Sequence, residues 1–187
     1  MSSAVPFETL CVFCASAEGS DPAFRVAAEE LGRELARQQI ALVYGGSASG
    51  LMGAVADATI ANGGRVLGVI PHVLVDMEIA HQGCTELHVV STMHERKALM
   101  GEKSDGFLIL PGGFGTLEEL FEVLTWQAIG LHTKPVCLLN TSGFYDGLLQ
   151  FLDHCVTQGV LKERAREILL VAKTVPEALA LLRDALH

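Results

Sequence analysis

The sequence predicts an α/β fold: a Rossmann-like, doubly wound, mostly parallel sheet with helices on both faces. Three observations predict it. Seven short apolar runs alternate with six segments of helical periodicity along the chain. Half of the 187 residues are apolar, as strands covered on both faces require. Glycines and other small residues gather just after the strands, where the carboxyl edge of such a sheet receives ligands.

The first strand is the run 10–13, ending at Cys14-Ala15-Ser16; the helix at 23–37 follows, with Phe24, Ala27, Ala28, Leu31 and Leu35 on one face. A strand at 41–44 enters the glycine turn Gly45-Gly46-Ser47-Ala48-Ser49-Gly50 and then a helix at 51–61. The strand at 66–70 stops at Pro71-His72, and another at 87–90 leads to a helix at 93–103 opened by Thr92. The apolar strand 106–110 runs into Pro111-Gly112-Gly113-Phe114-Gly115-Thr116, after which Leu117, Leu120, Phe121 and Leu124 mark a helix over 117–129. Strands at 136–139 and 168–171 and helices at 144–158 and 176–186 complete the alternation, with no linker or repeat to divide one domain over 1–187.

A chain of this length buries roughly 70% of its unfolded surface and needs no staples. The formal net charge is −9 and the 13 lysines and arginines are scattered singly, so there is no basic stripe for a nucleic acid polymer, although a single nucleotide is not excluded. No apolar stretch approaches a membrane span, and the start Met1-Ser2-Ser3-Ala4-Val5-Pro6 lacks a basic and then apolar leader, so a cytoplasmic protein is expected. Cys11, Cys14, Cys84, Cys137 and Cys155 are odd in number and read as reduced thiols. Cys11 and Cys14, three apart along a strand, point to opposite faces and fit neither redox nor zinc chemistry. His94-Glu95 would begin a zinc motif, but Ala98 stands where its second histidine belongs; no metal site is expected.

The segment from Pro111 to Leu120 carries most of the functional information. Glycines let the backbone approach a ligand closely, and a following helix turns its positive end to the same point, which makes an anion site. Glu118-Glu119 just inside the helix go beyond what a phosphate cradle needs and point to chemistry beside the anion. A second reading of Thr116-Leu117-Glu118-Glu119 is a capping box with Thr116 as N-cap and Glu119 reaching back to it. The turn from Gly45 to Gly53 is neither a dinucleotide fingerprint nor a Walker A loop, since Leu51 replaces the lysine; it is a ligand contact or a tight connection. Met93, Arg96, Lys97 and Met100 share a helix face, which is either a solvated charge pair or a ligand-facing surface where Arg96 forks onto phosphate or ribose oxygens. Leu124, Trp126 and Ile129 read as core or as a contact between subunits.

Together, Pro111-Gly112-Gly113-Phe114-Gly115-Thr116-Leu117-Glu118-Glu119, Met93-x-x-Arg96-Lys97 and Gly45-Gly46-x-x-x-Gly50-Leu51-Met52-Gly53 resemble the LONELY GUY family of cytokinin riboside 5′-monophosphate phosphoribohydrolases, some of which have been labelled lysine decarboxylases. The resemblance covers nearly the whole chain. It implies a Rossmann-like fold, a homodimer or an assembly of dimers, no cofactor, and hydrolysis of the N-glycosidic bond of AMP or an N6-substituted AMP. It implies that Arg96 and Glu119 are catalytic, and that Glu78, Lys97, Gly112, Gly113, Phe114, Gly115, Thr116, Leu117, Glu118 and Thr125 line the nucleotide; Gly45 and Gly46 join them as the second glycine turn. The chain departs from the family in Ala15 and Ala17, where Gly and Ser are usual, in Ser47 for Gly, and in Asp76-Met77 before Glu78. Two rival readings are a nucleotide or molybdenum-cofactor carrier on the same cradle, and a lysine decarboxylase, for which none of the five lysines stands in an evident pyridoxal motif.

Overall fold

The structure is a computed structural model that describes residues 7–75 and 80–186. Seven strands, β1 (Thr9–Phe13), β2 (Ala41–Tyr44), β3 (Val66–Pro71), β4 (Glu86–Val90), β5 (Gly106–Ile109), β6 (Val136–Leu139) and β7 (Leu169–Ala172), form one sheet in the order β4-β3-β2-β1-β5-β6-β7. Every neighbouring pair is parallel, with Cys11 opposite Val43 on one side and Phe107 on the other. The helices are α1 (Pro22–Arg37), α2 (Gly50–Ala61), α3 (His72–Val75), α4 (Met93–Glu102), α5 (Phe114–Ala128), α6 (Asp146–Thr157), α7 (Glu163–Arg166) and α8 (Val175–Asp184).

Alternation along β1 explains the two-sided core. Leu10, Val12 and Cys14 pack with Leu31, Val55 and Leu182 under α1, α2 and α8, whereas Cys11 and Phe13 pack with Met100, Leu120 and Leu152 under α4, α5 and α6. Cys11 and Cys14 therefore belong to opposite faces, as their spacing requires.

Two helix starts separate what the sequence pattern implies from what forms. At α4 the Thr92 hydroxyl accepts from the Glu95 N–H at 3.1 Å and the Glu95 carboxylate accepts from the N–H of Ser91, one residue before the cap, at 2.8 Å, so Thr92 opens the helix as its sequence position indicates. At α5 the helix begins at Phe114, three residues before the predicted start, with Gly113 as an N-cap that supplies no side-chain bond. Thr116 is thus inside the helix, and the capping-box reading of Thr116 to Glu119 does not hold. The one-turn helices α3 and α7 carry too few residues to show periodicity, and neither was expected.

The strand order reverses direction between β1 and β5, the neighbours at the middle of the sheet. That switch point leaves a crevice beyond their carboxyl ends, between Cys14-Ala15 and Pro111-Gly112.

Candidate active site

A cavity of about 310 Å³ opens at that crevice, bordered by the loop after β1, Gly45 after β2, Met52 of α2, Arg96 of α4, and Gly113, Phe114, Gly115, Thr116 and Glu119 of α5. Main-chain bonds join its walls. The Ala15 N–H donates to the Pro111 carbonyl at 3.2 Å, and the Ala15 carbonyl accepts from the Met52 N–H at 3.2 Å, so the β1 loop is stitched to both the glycine turn and α2.

Arg96 is one turn into α4 and 4% exposed. A buried guanidinium needs acceptors, and it finds them at two strand ends: Nε donates to the Val69 carbonyl at 3.1 Å and Nη2 to the Gly45 carbonyl at 2.8 Å. Position 45 must be glycine for this, because a Cβ there would lie 2.1 Å from Nη2. The second glycine turn is therefore the seat of the arginine. Gly46 beside it takes a left-handed φ of 77° and accepts from the His81 N–H at 2.9 Å; Gly46 does not border the cavity.

The first turn of α5 forms the opposite wall. Helix geometry leaves its leading N–H groups without intrahelical acceptors, and the positive end of the helix dipole points the same way. Thr116 is buried with its side chain folded over Gly112, where a Cβ would meet Oγ1 at 2.1 Å. A Cβ at Gly113 or Gly115 would meet nothing within 4 Å, so both present open backbone to the cavity. Phe114 between them is 94% exposed at the rim.

Among the described residues, Glu119 is the carboxylate that borders the cavity. Its charge reaches the floor: burial first, and then Glu119, push the Cys14 thiol far above its ordinary range, and the same two causes lead at Cys11. Cys14 thus borders the cavity as a protonated thiol. Its neighbour Glu118 turns away. The Lys97 ammonium, buried beneath α5, donates to Glu118 at 2.5 Å and to Glu122 at 3.0 Å. Burial works against that ammonium, but hydrogen bonds and the two opposite charges outweigh it and hold its pKa above the usual lysine value.

The structure therefore brings Arg96, Glu119, Gly45, Gly113, Phe114, Gly115 and Thr116 to one cavity, while Gly112 lies directly behind it under Thr116. Lys97 and Glu118 pair with each other outside the lining, and Leu117 packs on the core. Thr125, whose hydroxyl donates to the Phe121 carbonyl at 2.6 Å, borders a separate apolar groove of about 120 Å³ with Leu124, Leu152 and Leu169. Glu78 lies outside the described residues. Sequence reasoning did not single out Met52 as a wall, the Val69 carbonyl as an anchor, or Glu122 as a lysine partner. Only Glu122 had a signal, standing four residues after Glu118 and hence on the same helix face. Among the described residues no cluster of three His, Cys, Asp or Glu side chains could hold a metal ion, and no helix is long and apolar enough to cross a membrane.

A profile of the family described as possible lysine decarboxylase matches residues 52–182. Cytokinin riboside 5′-monophosphate phosphoribohydrolase LOG2 of Arabidopsis thaliana is 47% identical over 178 residues, 95% of this chain and 84% of the relative. The enzyme of the same description, LOG, from Oryza sativa subsp. japonica is 48% identical over 178 residues, 95% and 74% of the two chains. Among solved structures, the molybdenum cofactor carrier protein of Chlamydomonas reinhardtii superposes with a TM-score of 0.72 at 21% identity, covering 97% of this chain and 99% of that one. The molybdenum cofactor binding protein of Rippkaea orientalis gives a TM-score of 0.72 at 19% identity over 97% and 99% of the two chains. These two likenesses establish the Rossmann-like fold.

Proposed function

The chain belongs to the LONELY GUY family of cytokinin riboside 5′-monophosphate phosphoribohydrolases, and from that premise we propose how its cavity hydrolyses a nucleoside 5′-monophosphate. The substrate is AMP or an N6-substituted AMP, and the products are the free adenine or cytokinin base and ribose 5-phosphate. The observation that carries this reading is the meeting of an amide-rich helix start, one buried arginine and one carboxylate in a single cavity at the β1/β5 switch.

The 5′-phosphate docks on the main-chain amides of 113–116, where the α5 dipole favours negative charge. Binding energy at the phosphate, remote from the bond that breaks, orients C1′ for attack. As the C1′–N bond stretches, positive charge grows on the ribose ring and Glu119 faces it, either as electrostatic partner or as the base that takes a proton from the attacking water. Arg96, fixed by two carbonyls, orients phosphate or ribose oxygens. Glu78 would complete the nucleotide site, as the family resemblance implies.

The test is incubation with a panel of nucleosides and their 5′-monophosphates, with free base read by chromatography. Cleavage confined to the monophosphates is expected; equal cleavage of bare nucleosides would remove the amide cradle from the mechanism. Glu119→Gln keeps the fold and binding but lowers turnover by on the order of a hundredfold or more. A second reading, a non-catalytic molybdenum-cofactor carrier, draws on the structural likeness alone. Base release from AMP by the wild type rejects it.

The working unit is a homodimer or an assembly of dimers in the cytoplasm, acting on small molecules rather than on polynucleotides or membranes. Exposed Phe121, Ile129, Leu131 and Val160 near the α5 groove support a second copy there, and light scattering reads it directly.

A further inference from the structure

The α4 and α5 helices each carry a like-charged neighbouring pair, Arg96-Lys97 and Glu118-Glu119. Consecutive helical residues point about 100° apart, so the members of each pair cannot serve one direction. One member of each, Arg96 and Glu119, borders the cavity. The other two meet behind it: Lys97 Nζ bridges Glu118 at 2.5 Å and Glu122 at 3.0 Å, with the lysine side chain only 9% exposed. Glu118 and Glu122 are one turn apart on α5, where like charges repel unless a cation lies between them. The start of α5 has no capping side chain, since Gly113 makes no such bond, and its rotation is set by side chains further along, among them buried Thr116, Leu120 and Val123.

We propose that Lys97 is a positioning residue for the hydrolysis, a cationic clamp that locks the rotation of α5 against α4 through Glu118 and Glu122 and so holds Glu119 toward the scissile bond. The inference rests on the activity proposed above, but its structural half can be read without turnover. It also gives Lys97 and Glu118 a different task from the nucleotide contact that the family resemblance implies. A contact residue contributes to KM; a clamp contributes to kcat, because a displacement of about 1 Å at the reacting carboxylate costs on the order of a hundredfold in rate.

The experiment compares wild type with Lys97→Met, Lys97→Arg, the double variant Glu118→Gln/Glu122→Gln, and the triple combination of Lys97→Met with both glutamines. Steady-state AMP hydrolysis and amide hydrogen exchange over residues 117–123 are measured on each. Lys97→Met is expected to lower kcat by about ten- to a hundredfold with KM for AMP within about threefold, and to speed exchange by about tenfold. The glutamine pair should lose a similar factor, and the triple variant no more than the worse of its parents, since all three residues act as one unit. Lys97→Arg should recover most of kcat. A rise in KM at unchanged kcat, multiplying losses in the triple variant, or unaltered exchange would each overturn the clamp. Should Lys97→Met fail to fold, the arginine and glutamine variants decide the question by the same measures. A wild type that releases no base would sink the proposed activity, leaving exchange to judge the clamp.

Discussion

Gly45→Ala tests the arginine seat at the cavity wall, where the new methyl meets Arg96 directly. The new Cβ would stand 2.1 Å from Arg96 Nη2, 3.2 Å from its Cζ and 3.0 Å from Met52 Sδ. Ordinary contact lies at roughly 3.5 Å or more, so the guanidinium must retreat by over about 1 Å. That stretches the 2.8 Å bond to the Gly45 carbonyl out of hydrogen-bonding range. A hydrogen bond to a charged group contributes about 1.5–3 kcal/mol, which at about 1.4 kcal/mol per decade is a loss of about ten- to 150-fold in kcat/KM if the seat serves the transition state. The assay is adenine release from AMP, run with thermal melts so that global destabilisation is separated from lost turnover. Because the effect passes through Arg96, the double variant Gly45→Ala/Arg96→Ala should be no slower than Arg96→Ala alone. Activity of Gly45→Ala within twofold of wild type, or multiplying losses in the double variant, would refute the reasoning.

Two other perturbations probe different walls. Gly115→Ala places a methyl in open space on the cavity side of a helix, so melting should be unchanged or raised by the better helix former, while KM for AMP rises about tenfold because the phosphate can no longer approach the backbone closely; an unchanged KM would remove Gly115 from the cradle. His132 is pushed below its ordinary pKa by burial first, with Lys134 adding to the effect against the opposing bond to the Val123 carbonyl. Its Nδ1 accepts from the Lys134 N–H at 3.1 Å and so must lose that bond on protonation. A depressed folded pKa means that the unfolded chain takes up the proton first: the stability is present above about pH 6.5 and is lost as pH falls through the folded value. Melting temperatures from pH 7.5 to 5 should therefore fall more steeply for wild type than for His132→Leu; equal slopes would exclude the histidine.

How far the site could be read from the sequence depended on which atoms do the work. Buried parallel strands are apolar runs, and those at β2 and β6 stand where the pattern puts them, because both faces of each are covered. Glycines at 112, 113 and 115 read as turn and put the start of α5 at Leu117, whereas the chain is already helical at Phe114. Thr116-x-x-Glu119 then imitates a cap whose real geometry is a threonine folded back over Gly112. The chemistry of Arg96 was legible as a side chain, but not its anchoring, since the Val69 and Gly45 carbonyls belong to the main chain and have no residue signature. Likewise the pairs Arg96-Lys97 and Glu118-Glu119 announce themselves, yet which member faces the cavity is set by how α4 lies against β3 and α5 against β1. Helix rotation is a tertiary quantity.

The same distinction explains why the departures from the family pattern leave the cavity intact. Ala15, standing for glycine, takes no left-handed φ, packs on the core, and contributes its N–H to Pro111 and its carbonyl to Met52. Ala17, standing for serine, contributes its carbonyl to the Leu51 N–H at 3.3 Å. Contacts of that kind survive any side chain that fits. Ser47, standing for glycine, is fully buried and gains a bond of its own, its Oγ accepting from the Ser49 N–H at 3.1 Å ahead of α2. The walls are thus preorganised by backbone, which tolerates such exchanges, whereas Gly45 and Gly112 are held to glycine by neighbours 2.1 Å from where a Cβ would be. Side chains in these walls can change where only main-chain hydrogen bonds are made, whereas an added side chain at 45 or 112 would have to displace Arg96 or Thr116 from the space that the glycine leaves.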